Sequence, residues 1–279
     1  MENNNSLKDI STQIRRDIIR MVGKAGCGHP GGSMSSADAL VALYFSVMKH
    51  DPASWTRESR GQDAFILSAG HLAPALYAVL ARSGYFPVSE LSTLRQFGSR
   101  LQGHPGAGTL PGIVQASGSL GQGLACAIGI ALGKKLSAEP ERVFCLMGDG
   151  ELEEGEVWES AMFAANHSVD NLVALVDWNG LQIDGDVNKV AGLGDLAAKW
   201  TAFGWSAVVV DDGNDPDAIV EALKAAESVK GKPTVLLLRT QMGYGVDFMQ
   251  NDHAWHGKAP KSQEVEAALA CLEETLGDF

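Results

Sequence analysis

Val143-Phe144-Cys145-Leu146-Met147-Gly148-Asp149-Gly150 is an apolar run that stops at a glycine-flanked aspartate. Leu172-Val173-Ala174-Leu175-Val176-Asp177-Trp178-Asn179 repeats that shape, with an asparagine at its tip. Continuous apolar stretches without polar alternation suit strands covered on both faces, as in a parallel sheet inside an α/β domain. Adjacent strands of such a sheet would present Asp149 and Asn179 at neighbouring carboxyl ends, the edge where open α/β sheets take ligands. A carboxylate and a carboxamide supply hard oxygen donors of the kind that hold Mg²⁺ beside phosphate oxygens and water. The pair therefore reads as a clamp for a divalent cation carrying a diphosphate.

Working outward, strand, polar tip and helix recur. Phe65-Ile66-Leu67 ends at Ser68-Ala69-Gly70-His71 and is followed by a helix through Ala75, Leu76, Val79 and Leu80. The strand before Asp149 leads into a helix over residues 156–165. Later strands are expected over 207–210 and 234–238, separated by a helix over 216–229. Upstream, Ile10, Ile14, Ile18, Met21 and Val22 share a helical face, the loop Gly26-Cys27-Gly28-His29-Pro30-Gly31-Gly32 follows, and residues 36–48 read as a second helix. From Ser262, Val265, Leu269, Leu272 and Leu276 mark a last amphipathic helix. This alternation predicts one α/β domain over residues 1–279, a central parallel sheet with helices on both faces.

The 279 residues are 45% hydrophobic and 20% charged, enough for one large core. The formal charge of −12 argues against a nucleic-acid surface, which needs clustered Lys and Arg. Cys27, Cys126, Cys145 and Cys271 form no C-x-x-C pair and, with the polar start at Met1 to Asn5, suggest a reduced, cytoplasmic protein. Residues 101–133 carry no Asp, Glu, Lys or Arg, yet Pro105, Pro111 and many glycines make a membrane span the poorer reading. A Gly-rich loop feeding a helix over 121–135 fits better, its Gly123, Gly129 and alanines allowing close packing on all sides.

His29, His71, His104 and His256 each sit beside Gly or Pro in expected loops, where an imidazole can donate, accept or transfer a proton. His253 and His256 have H-x-x-H spacing without a following Glu, a weak zinc signal. Gly118-Ser119-Leu120-Gly121-Gln122-Gly123 is not in dinucleotide-fold order, and Gly133-Lys134-Lys135 lacks the spacing of a P-loop. What is left is a loop and helix N-terminus open to an anion or a flat ring.

Five segments taken in order, Gly-Cys-Gly-His-Pro-Gly-Gly-Ser, Gly-His-Pro-Gly, Gly-Ser-Leu-Gly-Gln-Gly, Gly-Asp-Gly-Glu-Leu-Glu-Glu-Gly and Leu-Gln-Ile-Asp-Gly, resemble the diphosphate-binding half of transketolase over nearly the whole chain. The resemblance implies a fold that binds thiamine diphosphate with Mg²⁺, or Ca²⁺ or Mn²⁺. It implies the N-terminal subunit of a split enzyme that moves a two-carbon ketol unit from a ketose phosphate to an aldose. The pyrimidine domain, with the glutamate that activates the cofactor, is then expected on a C-terminal partner chain, two copies of each forming a heterotetramer.

By the same resemblance, Asp149, Asn179 and the backbone oxygen of Leu181 hold the metal. Gly148, Gly150, Glu151, His71 and His256 border the diphosphate. Gly118, Ser119 and Leu120 approach the aminopyrimidine, and Ile183 and Met242 pack on the thiazolium. His29, His104 and His256 surround the donor sugar and, with His71, are the catalytic candidates, and Glu154 and Glu159 match glutamates near the subunit interface, Glu154 with a catalytic part. Charge at a helix N-terminus explains those two equally well. Ser119 stands where the family usually has proline, and Leu72 and Trp178-Asn179-Gly180 also depart from its pattern, which leaves the choice of sugar open. A subunit of deoxyxylulose-phosphate synthase or 2-oxoacid dehydrogenase type, a non-catalytic regulatory partner, and a stand-alone metal-binding domain that takes Mg²⁺ without thiamine diphosphate are the alternatives.

Overall fold

A computed structural model describes residues 5–279; Met1 to Asn4, part of the polar start, lie outside them. Ser6 opens the first helix, α1 (Leu7–Ala25), through a capping box: its hydroxyl accepts the Asp9 N–H at 3.1 Å and the Asp9 carboxylate accepts the Ser6 N–H at 3.0 Å. Then come α2 (Pro30–Ser35), α3 (Ala37–Ala42) and a π-helical turn at Leu43–Val47. The helical stretch thus starts six residues before the expected 36, inside the glycine-rich segment. A Cβ at Gly31 would stand 2.8 Å from Met242 Cγ, and one at Gly32 2.7 Å from Leu72 Cδ2, so these glycines let a buried helix press against the loops around it.

Next follow β1 (Ala64–Leu67), α4 (Ala73–Arg82), α5 (Gln122–Leu136), β2 (Val143–Gly148), α6 (Gly155–Asn166) and β3 (Leu172–Trp178). A short hairpin, β4 (Leu181–Gln182) and β5 (Gly185–Asp186), leads to α7 (Val187–Ala191), α8 (Leu196–Ala202), β6 (Ser206–Val210), α9 (Pro216–Ala226), β7 (Thr234–Arg239) and α10 (Ser262–Cys271). The five-stranded sheet has the order β1-β2-β3-β7-β6 and every pairing in it is parallel. The register aligns Gly148 with Asp177, so the tips of β2 and β3 finish side by side in the middle of the sheet.

Although the strands read as unbroken apolar runs, their side chains alternate between two cores. Phe144, Leu146, Val173, Leu175 and Leu236 join α1, α3, α4 and α9 on one face. Val143, Cys145, Met147, Ala174, Val176 and Leu237 join α5, α6 and α8 on the other. Burial on both faces is what made the period invisible in the sequence.

Two further expectations change. α5 is not packed on all sides: nothing described lies within 4 Å of a Cβ at Gly129 or Gly133, and Leu136 is 89% exposed. With Met162 and Phe163 of α6, it leaves an apolar face open. The last helix stops at Cys271; Leu272 is buried by an extended segment whose Thr275 and Leu276 N–H groups donate to Gln13 Oε1. Among the described residues, no helix is long and apolar enough to cross a membrane.

Candidate functional site

A cleft of about 250 Å³ opens at the carboxyl edge of the sheet. Chain ends of several elements build it: the tips of β2 and β3, the start of α2, the turn before α4, and the loops that follow β7. Its lining includes Asp149, Asn179, Leu181 and Ile183 at one side and His29, His71, His104 and His256 at the other, with Gly118, Leu120, Gly148, Gly150, Glu151 and Met242 between.

Asp149 is 2% exposed, and its two oxygens accept the N–H groups of Gly150 at 2.8 Å and Gly180 at 2.6 Å. Burial, with the neighbouring Asp177 carboxylate, pushes its pKa up to about 7. Among the described residues no Lys or Arg lines the cleft, so this carboxylate has no cationic partner there. Asn179 donates from Nδ2 to Asp177 at 2.8 Å and accepts the Leu181 N–H on Oδ1 at 3.0 Å. Carboxylate, carboxamide and nearby main-chain carbonyls are a donor set for a hard cation such as Mg²⁺ or Ca²⁺, not a soft one.

The histidines form one cluster. Ring centroids of His29 and His71 are 5.4 Å apart, those of His29 and His256 5.6 Å, those of His71 and His256 5.1 Å, and those of His29 and His104 6.3 Å. Burial, then the neighbouring imidazoles, lower His29 to about 4 and His71 to about 3. Burial likewise lowers His104 and His256. All four rings are therefore neutral at pH 7, each with one donor and one acceptor nitrogen. Nδ1 of His29 and of His256 are buried without a hydrogen-bond partner among the described residues, as is Oγ of Ser117 beside Gly118. At the cleft, such unpaired nitrogens are free to meet polar groups of a ligand.

Glu151 is part of the wall rather than a free group. Its carboxylate is 2% exposed and accepts the N–H of Gly121 at 2.8 Å, the N–H of Gly148 at 3.1 Å and the hydroxyl of Ser68. It thereby ties the start of α5 to the tips of β1 and β2. Ser119 lines an adjoining hollow with His104, Gly118 and Gln122, not the cleft itself. Glu154 is exposed at the N-cap of α6, and Glu159 faces the open apolar hollow between α5 and α6; neither reaches the cleft. Asp177, Gly32, Leu72 and Gln182 line the cleft without having been expected there. For Asp177 a signal existed: it is the one charge in an otherwise apolar strand.

Residues 6–273 match the family described as the thiamine diphosphate binding domain of transketolase. The chain is 41% identical to the 6-deoxy-6-sulfo-D-fructose transketolase subunit of Clostridium sp., covering 94% of each. It is 36% identical to one of the apulose-4-phosphate transketolase subunits, that of Phocaeicola vulgatus, over 95% of this chain and 93% of that one. Among solved structures, transketolase from Leishmania mexicana superimposes with a TM-score of 0.91 at 28% identity, over 98% of this chain and 43% of that one. The chain thus spans less than half the length of the solved transketolases it matches and nearly all of the curated subunits.

Proposed function

Since the chain belongs to the transketolase family through its thiamine diphosphate binding domain, we propose that it is the diphosphate-binding subunit of a two-chain transketolase. The observation that carries this reading is the cleft, with a buried carboxylate lacking a counter-charge at one side and neutral histidines with unpaired nitrogens at the other. Asp149, Asn179 and the Leu181 carbonyl would hold the divalent cation, Mg²⁺ by preference, on the diphosphate. Gly118 and Leu120 would border the aminopyrimidine, and Ile183 and Met242 the thiazolium. Bound thiamine diphosphate supplies the carbon nucleophile and electron sink for breaking a C–C bond next to a ketone.

This chain's residues bind, orient and donate. A neutral imidazole can offer N–H to one substrate oxygen and accept a hydroxyl proton at its other nitrogen. His29 and His104 are thus suited to hold the hydroxyls of a ketose donor and to stabilise charge growing on its carbonyl oxygen. His71 and His256 lie nearer the diphosphate side in this reading. With no Lys or Arg in the described cleft lining, the terminal anionic group of a sugar is held elsewhere, which fits substrate contacts shared with a second chain.

The open face of α5 and α6 supports a partner carrying the pyrimidine domain. Leu136, Met162 and Phe163 are exposed there, flanking a hollow bordered by Glu156 and Glu159. A heterotetramer of two copies of each chain would cover that face and complete two cofactor sites. All four cysteines are free, which accords with a cytoplasmic enzyme. The test is co-expression with the candidate partner, native mass spectrometry, and a ketol-transfer assay across xylulose 5-phosphate, apulose 4-phosphate and 6-deoxy-6-sulfofructose. Transfer that requires both chains, thiamine diphosphate and Mg²⁺ is the expected result; transfer by this chain alone, or by the pair without the cofactor, overturns the reading.

A further inference from the structure

We propose that Asp177 is a positioning residue for the cation site: without being a ligand, it fixes the Asn179 carboxamide so that Oδ1 is the atom presented for coordination. The proposal rests on the cation reading above. Asp177 is the penultimate residue of β3 and 2% exposed. Oδ1 accepts the Thr240 hydroxyl at 2.5 Å, and Oδ2 accepts the Ser35 hydroxyl at 2.6 Å and Asn179 Nδ2 at 2.8 Å. Three donors from three places, the end of α2, the residue after β7 and the tip of β3, converge on one carboxylate.

An amide turned the other way would face its oxygen to that carboxylate and its NH₂ to the Leu181 N–H, two mismatches at once. The orientation of Asn179 is therefore set from both ends. A merely structural residue here gains little from being charged, because a buried carboxylate without a cation is costly.

The test uses the full chain with its partner and Mn²⁺ as the probe, its binding followed by electron paramagnetic resonance with thiamine diphosphate present. D177N puts an NH₂ among the donors and should weaken Mn²⁺ about 10–100-fold, the usual cost of disturbing a group that orients a metal ligand, with the melting temperature near that of wild type. N179D should weaken it too, despite its added charge, by facing two carboxylates. The double variant D177N/N179D restores a donor–acceptor pair in the reverse sense and should recover Mn²⁺ to within about tenfold of wild type, the coupling expected of contacting residues. T240A, which removes one hydroxyl donor to the Asp177 carboxylate but leaves the Asn179 contact intact, should weaken Mn²⁺ less than D177N does; a T240A loss equal to that of D177N also counts against the proposal.

A folded D177N that binds Mn²⁺ like wild type overturns the proposal, as does a folded double variant no better than D177N. If D177N fails to fold, the double variant decides alone; failure of both to fold makes the role structural and also overturns it. A wild-type complex that binds no Mn²⁺ sinks the cation reading itself, which these variants do not.

Discussion

The N–H of Gly180 donates to Asp149 Oδ2 across 2.6 Å, so the turn after β3 hangs on the carboxylate that ends β2. Asp149→Ala removes that anchor, the acceptor for Gly150 and the site's anionic donor together. The expected outcome is a loss of at least about 100-fold in calorimetric affinity for thiamine diphosphate with Mg²⁺, at the upper end of what even indirect support of a metal costs. Retained affinity would exclude the proposed clamp.

His29 and His104 make a different prediction, because the proposed function puts them against the sugar rather than the cofactor. His29→Ala and His104→Ala in the assembled enzyme should lower kcat/KM for the donor by about 10²–10³-fold, the range for removing a donor to a developing oxyanion or a proton-transfer group. Cofactor affinity, read separately by fluorescence titration, should stay within a few-fold. An equal fall in both quantities would move these residues from substrate to cofactor.

The buried histidines also fix a sign for pH dependence. His71 titrates at 6.5 when unfolded and about 3 when folded, because burial disfavours the imidazolium. Between those values the unfolded chain binds the extra proton, so His71 contributes stability that is full above about 6.5 and is lost as pH falls towards 3. Asp149, raised to about 7, acts in the opposite direction over an overlapping range, so the raw profile mixes the two. Comparing cofactor-free wild type with His71→Asn isolates the imidazole's share: wild type should lose stability relative to the variant as pH drops below 6.5, and the difference should be flat above it. A difference that grows at alkaline pH contradicts the neutral assignment.

Two glycines of α5 separate folding from assembly. A Cβ at Gly123 would collide with Ser68 Cβ, and Gly123→Ala should destabilise the isolated chain by about 1–3 kcal/mol in urea denaturation. At Gly129 nothing described lies within 4 Å, and Gly129→Ala should stabilise the isolated chain by about 0.5–1 kcal/mol through helix propensity. If the open face of α5 receives the partner, that same stabilised variant should bind the partner more weakly in an interface titration. Undiminished binding would place the partner elsewhere.

Much of the frame was legible because strong local signals agreed. The runs Val143–Met147 and Leu172–Val176 are strands, extending one and two residues further than read, and α5 and α6 start within a residue of where their sequences put them. The hairpin Leu181–Gln182 with Gly185–Asp186 was not, since two-residue strands carry no period to detect. The extra helix at Pro30–Ser35 was hidden by glycines that read as a loop but serve close packing. Leu272 and Leu276 kept helical spacing after the helix had ended, because an extended strap bound to Gln13 and Arg16 can bury an occasional leucine equally well.

At the site, glycine and histidine motifs pointed to the cleft, but burial separated roles the motifs had merged. Glu151, read as touching the cofactor, lines the cleft while accepting from Ser68, Gly121 and Gly148, so it also braces the wall. Asp177 went without a role, because only coordinates reveal that Ser35 and Thr240, 142 and 63 positions away, meet it.

The uncovered seam along α5 and α6 has a cellular corollary. If a partner chain covers that face as proposed, a copy made in excess of it would expose Leu136, Met162 and Phe163 to whatever else is sticky, including other surplus copies. Balanced supply of the two chains would then be a condition for keeping the protein out of inclusion bodies and away from proteases. In overexpression, the yield of intact material should follow the dose of the scarcer polypeptide.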